Sequence, residues 1–202
     1  GILDLNECST DMGILLWWSY NDSTRNAGTN AASSPVIASA VASTNDIGVS
    51  VTNPTAAANY LRITGVDATT LNSAVSNNEY VQYTFTTANW AAGTHYYYEK
   101  TSLDNKAASP NYNLSIAISN NAFSTSGTYL IKDLGMGSSY AAGATLYNNI
   151  TPYLLQPNTT YTVRVYFYNV TGGSSATILH DDYRLLFRSF CDTDNDGNPD
   201  YL

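Results

Sequence analysis

Apolar and polar residues alternate along much of this chain, which is the pattern of a β-strand with one buried face. The clearest case is residues 160–168, where every second position is apolar or aromatic. The positions predicted to face inward are Tyr161, Val163, Val165 and Phe167, and those predicted to face outward are Thr162, Arg164 and Tyr166. This segment therefore predicts a strand at the surface of a hydrophobic core.

Similar segments recur between short polar loops. They predict strands at residues 14–20, 47–52, 59–64, 79–87, 94–99, 114–118, 128–132 and 176–187, whereas residues 36–43 fit either a strand or a helix. About nine strands with almost no helical periodicity predict an all-β fold, an antiparallel two-sheet β-sandwich. We expect one such domain over residues 9–190.

Charged residues are scarce and mostly acidic. Eight Lys and Arg residues stand against sixteen Asp and Glu residues, for a formal net charge of -8. Because a nucleic-acid partner requires a basic face, this composition argues against one. The sequence has no long apolar run of the length that spans a bilayer, so we expect no membrane span.

The last residues form an acidic motif that is typical of a calcium loop. Carboxylates alternate with other residues, and Gly197 stands at the turn position. The predicted side-chain ligands are Asp192, Asp194, Asp196 and Asp200, and Asn198 is predicted to supply a backbone carbonyl. The alternative is an acidic solvated tail, which has no need of this spacing.

The first residues match the second half of the same loop type. Gly1 falls at the turn position, and Asp4 and Glu7 fall at ligand positions nine and twelve. We therefore expect residues 1–8 to end one calcium-binding repeat and residues 191–202 to begin the next. These segments resemble thrombospondin type 3 calcium repeats.

The two cysteines lie beside these acidic segments. Cys8 follows the first and Cys191 precedes the second. This placement predicts a disulfide that closes the base of the domain, and calcium loops of this kind belong to oxidising, calcium-rich compartments where disulfides form. The alternative is two free buried thiols.

The middle of the chain has a second resemblance. The motif P-x-T-x-Y-x-V-x-V at residues 157–165 precedes D-D-x-x-L at residues 181–185. This order resembles the jelly-roll pattern of galactose-binding-like and carbohydrate-binding modules. The whole layout, a β domain between acidic calcium repeats, is similar to repeat modules of very large surface adhesins of bacteria, including Bacteroidota. That resemblance implies an extracellular, cell-surface location.

Catalytic motifs are missing from the sequence. His95 and His180 are the only histidines, and no H-E-x-x-H, G-x-S-x-G or phosphate-loop motif occurs. In the one dense polar cluster, His180, Asp181 and Asp182 are consecutive and alternate between the two faces of a strand. One of the aspartates either hydrogen-bonds a neighbouring loop or, as the jelly-roll resemblance implies, binds a structural calcium. We therefore expect no enzymatic activity.

Aromatic residues at the surface are a further possible binding feature. Trp18, Trp90 and Tyr97 are the predicted ligand-facing rings, since adjacent aromatics on a strand divide between core and surface. The alternative is that these rings close the edge of the core with their polar tips outward.

These observations support two hypotheses about function. The first is an extracellular, calcium-binding structural or adhesive repeat module, with calcium as its cofactor and neighbouring modules of the same chain or filament, and surface glycans, as its partners. The second is a carbohydrate-binding module of jelly-roll type. A solvent-facing aromatic pair with nearby amide or carboxylate side chains favours the second, and a polar, flat Thr/Ser surface favours the first.

Overall fold

The computed structural model describes residues 10–20, 27–29, 36–45, 49–52, 60–90, 92–105, 110–137 and 144–191. All the predicted calcium ligands, at residues 4, 7 and 192–200, lie outside these ranges, as does Cys8. The backbone of Cys191 is described but its side chain is not. The calcium loops and the disulfide therefore stay predictions from the sequence.

Twelve strands and one α-helix form the described part of the chain. They are β1 Thr10–Trp18, β2 Ala27–Thr29, β3 Ile37–Asn45, β4 Ser50–Thr52, β5 Leu61–Thr64, α1 Leu71–Ser76, β6 Tyr80–Thr87, β7 Thr94–Asn105, β8 Tyr112–Ser119, β9 Thr128–Met136, β10 Ala144–Leu154, β11 Thr160–Tyr168 and β12 Ile178–Cys191. A short 3-10 turn, Gly173–Ser175, precedes β12.

The strands pair in two antiparallel sheets. Sheet A has the order β10-β7-β12-β1-β2, with β5 paired to the start of β12 and β4 paired to β5. Sheet B has the order β3-β6-β11-β8-β9. Successive strands cross repeatedly between the sheets, as β6, β7 and β8 do. The fold is a β-sandwich of jelly-roll type, which confirms the predicted fold class.

The hydrophobic core lies between the two sheets. On sheet B, Val81, Val163 and Val165 are fully buried, as the alternation predicts. The ring of Tyr83 on sheet B stacks on that of Tyr183 on sheet A, with centroids 4.3 Å apart. These contacts join the sheets across the layer, because each strand turns one face inward.

Most predicted strands are confirmed, and β11 has the predicted bounds. Of residues 36–43, positions 37–43 lie in a strand, β3. β10 was not predicted, because its sequence lacks clean alternation, contains Pro152 and departs from regular register between Asn149 and Tyr153. β2, which has only three residues, was also not predicted.

The helix α1 was not predicted either. Its six residues are too few to generate a helical period, but Thr70 and Ser73 form a reciprocal capping box at its start. The helix packs against β11 on the outer side of sheet B. Within the described ranges, no helix has the length and apolar character that crossing a membrane requires.

Candidate functional site

A second apolar cluster lies on the outer face of sheet B, beneath α1. Its buried members include Ala74 of the helix and Tyr80, Ala117, Tyr166 and Tyr168 of the sheet. Three partly buried side chains pack against it: Leu71, Phe123 and Tyr129. We call Tyr80, Phe123, Tyr129, Tyr166 and Tyr168 the outer aromatic cluster.

Glu79 holds α1 and the loop before it in place. Its carboxylate accepts hydrogen bonds from the Ala68 backbone N–H at 3.2 and 3.1 Å and from Asn77 Nδ2 at 3.2 Å. Burial, followed by a hydrogen bond with Asp67, raises the pKa of Glu79. The helix therefore rests on a buried polar anchor as well as on apolar packing.

Strand register brings four side chains into one row across sheet B. Gln82 of β6 pairs with Arg164 of β11, Arg164 pairs with Ala117 of β8, and Ala117 pairs with Tyr129 of β9. Because Ala117 is small and buried, the surface is recessed between Arg164 and Tyr129. The row places a cation and an aromatic ring on either side of a shallow depression.

Arg164 is fixed between two aromatic rings. Its guanidinium carbon lies 4.1 Å from the ring centroid of Tyr80 and 4.4 Å from that of Phe123. Its Nε donates a hydrogen bond to Gln82 Oε1 at 3.0 Å. Contact with two rings restricts a side chain that is otherwise flexible, so the guanidinium is held ready for a ligand.

The loop between β8 and β9 delivers Phe123 to this face. Ala122 and Phe123 have φ values of 54° and 61°, in the left-handed region that residues with a side chain rarely occupy. Ser119 Oγ accepts hydrogen bonds from the Asn121 and Phe123 backbone N–H groups at 3.1 and 3.2 Å, and Asn121 Nδ2 donates to Thr125 Oγ1 at 2.8 Å. Strain of this kind, held by local bonds, is concentrated at functional sites.

Gly127 closes the loop beneath the Phe123 ring. A Cβ at this position would lie 2.4 Å from Cε1 of Phe123 and 2.8 Å from the carbonyl oxygen of Ile118. Real Cβ contacts are not this short, so only glycine permits this approach of ring and backbone. The position of the Phe123 ring thus depends on the absence of a side chain at residue 127.

These groups surround an open pocket of about 320 Å³. Its aromatic lining comes from Phe123, Tyr129 and Tyr166, its charge from Arg164, and its hydroxyl groups from Ser124, Thr125 and Ser126, with Val75 of α1 at the side. Burial, and then the neighbouring Tyr166, raises the pKa of Tyr129. Its phenol is therefore neutral and able to donate or accept a hydrogen bond near neutral pH.

The rest of the same sheet face is different. The rows next to Arg164 carry Thr84, Thr162 and Ser119, followed by Thr86 and Thr160. The last two hydroxyls contact each other at 2.9 Å. Among the described residues, this half carries hydroxyl groups and the exposed Val41 beside Thr84, and no aromatic ring.

Two of the predicted ligand-facing aromatics are corrected by the structure. Trp18 is fully buried in the core, where its ring lies 4.8 Å from that of Tyr83 and its Nε1 donates to the Val41 carbonyl. Tyr97 is only 6% exposed and packs edge-on against Phe190. The expectation was wrong for both, because Trp18 faces the core between the sheets and Tyr97 is covered by Phe190 of the adjacent strand β12.

Trp90 lies at another pocket. It is half-buried, packs edge-on against Tyr96 at 4.9 Å, and lines a cavity of about 360 Å³ together with His95 and Gln156. This pocket contains one large aromatic side chain and lacks an arginine. It offers fewer groups for recognition than the pocket at Arg164.

The cluster at His180 belongs to the interior. Tyr83 Oη and His180 Nε2 are 2.8 Å apart, and burial lowers the pKa of His180 to about 4. Asp182 accepts a hydrogen bond from the Tyr20 backbone N–H, after the end of β1, and also contacts Arg184. Over the described ranges, no three His, Cys, Asp or Glu side chains are grouped to hold a metal ion. Asp182 therefore makes the hydrogen bond to a neighbouring loop that one alternative expected, and calcium binding by Asp181 or Asp182 stays a prediction from the resemblance.

The residues of the Arg164 pocket were not predicted as a site. Arg164 was assigned to the outer face of its strand, and that orientation is confirmed by its place in the pocket. Phe123 is one aromatic residue in a polar loop, and nothing in the sequence indicates that the loop folds back over the sheet. An arginine among tyrosines on an outward face was the one available signal.

No protein-family model matches the chain, and no curated protein matches it either. Among solved structures, the chain is similar to the CBM22-1 xylan-binding domain from Paenibacillus barcinonensis Xyn10C, with a TM-score of 0.48 and 12% identity, over 88% of this chain and 97% of that one.

Two further solved structures are similar over somewhat less of the chain. The family 35 carbohydrate-binding module from Clostridium thermocellum has a TM-score of 0.35 and 11% identity over 72% of this chain and 89% of that one. The family 11 module from the same organism, in complex with a β-1,3-1,4-mixed-linked tetrasaccharide, has a TM-score of 0.34 and 10% identity over 71% and 86%. All three similarities are distant in sequence and geometry.

Proposed function

We propose that this protein is a carbohydrate-binding module whose ligand occupies the pocket at Arg164. The observation that carries the proposal is the pair of half-buried rings, Phe123 and Tyr129, at an open pocket rimmed with hydroxyls and a fixed guanidinium. A sugar ring has an apolar C–H face that packs on an aromatic ring, and hydroxyls that pair with polar groups around it.

The size and rigidity of the pocket support this assignment. A volume of about 320 Å³ lies at the lower end of the range for small-molecule sites. The loop that carries Phe123 is held by Ser119 and by Gly127 before any ligand arrives. A preformed ring position reduces the entropy lost on binding, which favours useful affinity at a shallow site.

A role as a structural or adhesive repeat remains the second candidate. The flat threonine half of sheet B, with Thr84, Thr86 and Thr160, favours it as a contact or spacer surface. The acidic segments at residues 1–8 and 191–202 favour it through their calcium-loop spacing. Both candidates fit an extracellular protein without enzymatic activity, and a module can bind a glycan and also stand in an array.

The first experiment is a glycan array with the whole chain, in the presence of calcium, followed by calorimetric titration with the best ligand. Phe123→Ala and Tyr129→Ala should each weaken binding at least tenfold, about 1.4 kcal/mol or more. Trp90→Ala is the matched control, because it removes an aromatic side chain at the other pocket and should leave the affinity within about twofold.

Two results would contradict the proposal in different ways. If no glycan binds, the function is wrong. If Trp90→Ala abolishes binding while Phe123→Ala has no effect, the function stands but the ligand occupies the other pocket. Retained folding of each variant is checked by circular dichroism.

A further inference from the structure

The guanidinium of Arg164 has hydrogen-bonding capacity that the protein does not use. Of its five N–H donors, the one on Nε bonds Gln82, and the protein side chains stacked against it are the Tyr80 and Phe123 rings. Among the residues that the structure describes, no carboxylate forms an ion pair with it. The two terminal nitrogens, with four donors, are therefore left to whatever enters the pocket.

Two other arginines, Arg184 and Arg188, do have carboxylate partners. Arg184 donates from both terminal nitrogens to Asp104, at 3.0 and 3.1 Å. Arg188 Nε donates to Glu99 at 3.1 Å. Both lie on β12 and are partly buried, as Arg164 is. These two arginines are thus neutralised internally, whereas Arg164 has no acidic partner among the described residues, although acidic residues outnumber basic ones by two to one in the chain.

We infer that the sugar recognised in this pocket carries a carboxylate, as a uronic acid residue does, and that Arg164 binds that carboxylate. The inference rests on the proposed function, since it names the class of glycan for the same site. A planar guanidinium matches a carboxylate with two parallel hydrogen bonds, which a neutral hydroxymethyl group cannot accept in the same way.

The surrounding groups suit such a ligand. Two rings lie against the Arg164 guanidinium and shield part of it from water, so its interaction with an anion is screened less than on an open surface. Lys132 lies 4.6 Å from the Tyr129 ring and adds a second positive charge on this part of the sheet. The hydroxyls of residues 124–126 remain for the neutral oxygens of the sugar.

The test compares matched oligosaccharides that differ in one group. Galacturonate, mannuronate and guluronate tetramers are titrated calorimetrically beside their carboxyl-reduced counterparts, which have the same linkages and stereochemistry but no charge. We expect at least one uronate tetramer to bind at least tenfold more tightly than its reduced form. The difference should shrink as salt concentration rises.

Variants test whether Arg164 is responsible for the preference for uronate tetramers over their reduced forms. Arg164→Met keeps an unbranched side chain beside the two rings but removes the charge, and should abolish the difference in affinity between each uronate tetramer and its reduced form. Arg62→Met is the matched control, because Arg62 is exposed on β5 in the other sheet and its loss changes the net charge equally. It should keep the full preference.

The outcomes separate this inference from the proposed function. Equal affinity of the wild-type protein for each uronate tetramer and its reduced form, with other neutral glycans bound at the pocket, would overturn the inference alone. Binding to no glycan in any form would overturn the proposed function itself. If Arg164→Met does not fold, the comparison of uronate and reduced tetramers on the wild-type protein still decides between these results.

Discussion

The molecule contains two aromatic clusters built from the same residue types and used differently. The inner cluster, between the sheets, contains Trp18, Tyr20, Tyr83, Tyr98 and Tyr183, all fully buried. The outer aromatic cluster lies on the far side of sheet B and includes two rings that remain half-buried. The two clusters differ in whether the polar atoms of their side chains are hydrogen-bonded within the protein.

In the inner cluster, the polar atoms bond one another. Tyr20 Oη donates to Ser43 Oγ at 3.3 Å and lies 3.2 Å from Tyr83 Oη, and the Tyr98 and Tyr183 hydroxyls are 3.0 Å apart. In the outer cluster, Tyr168 Oη is bonded in the same way, to Asp133 and Ser115. Beside it, Arg164 is bonded through Nε to Gln82, but its terminal nitrogens have no partner among the described residues. A closed network stabilises the fold, whereas an open one at a pocket is available for recognition.

The comparison predicts that the inner cluster dominates stability. Trp18→Ala removes a fully buried ring and its hydrogen bond to Val41, and should lower the free energy of unfolding by about 3–5 kcal/mol. Chemical denaturation measures this loss. Phe123→Ala is the control from the outer cluster and should cost markedly less. Equal losses for the two variants would remove the distinction between the clusters.

The second prediction concerns pH and the inner cluster. His180 is neutral in the folded protein down to about pH 4 because burial lowers its pKa, with Asp104 opposing the shift. In the unfolded chain it takes up a proton near its ordinary pKa of about 6.5. The stability that it contributes is therefore present above about pH 6.5 and is lost as the pH falls to 4, by roughly 3 kcal/mol.

The matched variant for this prediction is His180→Asn, because other carboxyl groups also titrate in this range. Denaturation curves of both proteins at several pH values between 7 and 4 give the difference in slope. If the free energy of unfolding of the wild-type protein falls with decreasing pH no more steeply than that of the variant, His180 is not held neutral by burial.

The third prediction tests how the outer cluster is organised. Gly127→Ala places a Cβ against the Phe123 ring and the Ile118 carbonyl, so the loop must shift. We expect a loss of stability of about 1–3 kcal/mol and weaker binding to the ligand found on the array. Gly135→Ala is the control, since a Cβ there has open space. Unchanged affinity of the Gly127 variant would mean that the ring position does not matter for binding.

The smallest expected effect is at the edge of the outer cluster. Lys132 is exposed and its ammonium lies 4.6 Å from the Tyr129 ring centroid. Lys132→Ala should lower the free energy of unfolding by no more than about 1 kcal/mol, since exposed cation–π contacts are weak. Thermal denaturation is sufficient to measure it. A larger loss would indicate that the rim of the pocket is part of the stable core.

The sequence by itself determined the sandwich because alternation reports burial directly. Each strand with a clean two-residue period, such as β6 and β11, appeared where it was predicted, with Val81, Val163 and Val165 inside. β10 escaped prediction because Pro152 and an irregular register disturb its period. The local pattern also placed Arg164 on the outer face.

Only the tertiary structure decided which aromatic rings are exposed to solvent. Alternation assigns a ring to one face of a strand but does not say what lies over that face: the opposite sheet buries Trp18, and Phe190 of the adjacent strand packs on Tyr97. Conversely, the pocket joins Arg164 and Tyr129, which come from two strands, to Phe123 from a loop with two left-handed residues. Its geometry depends on register across the sheet, which is set by contacts between residues far apart in the chain, and on a strained loop that is held by local hydrogen bonds.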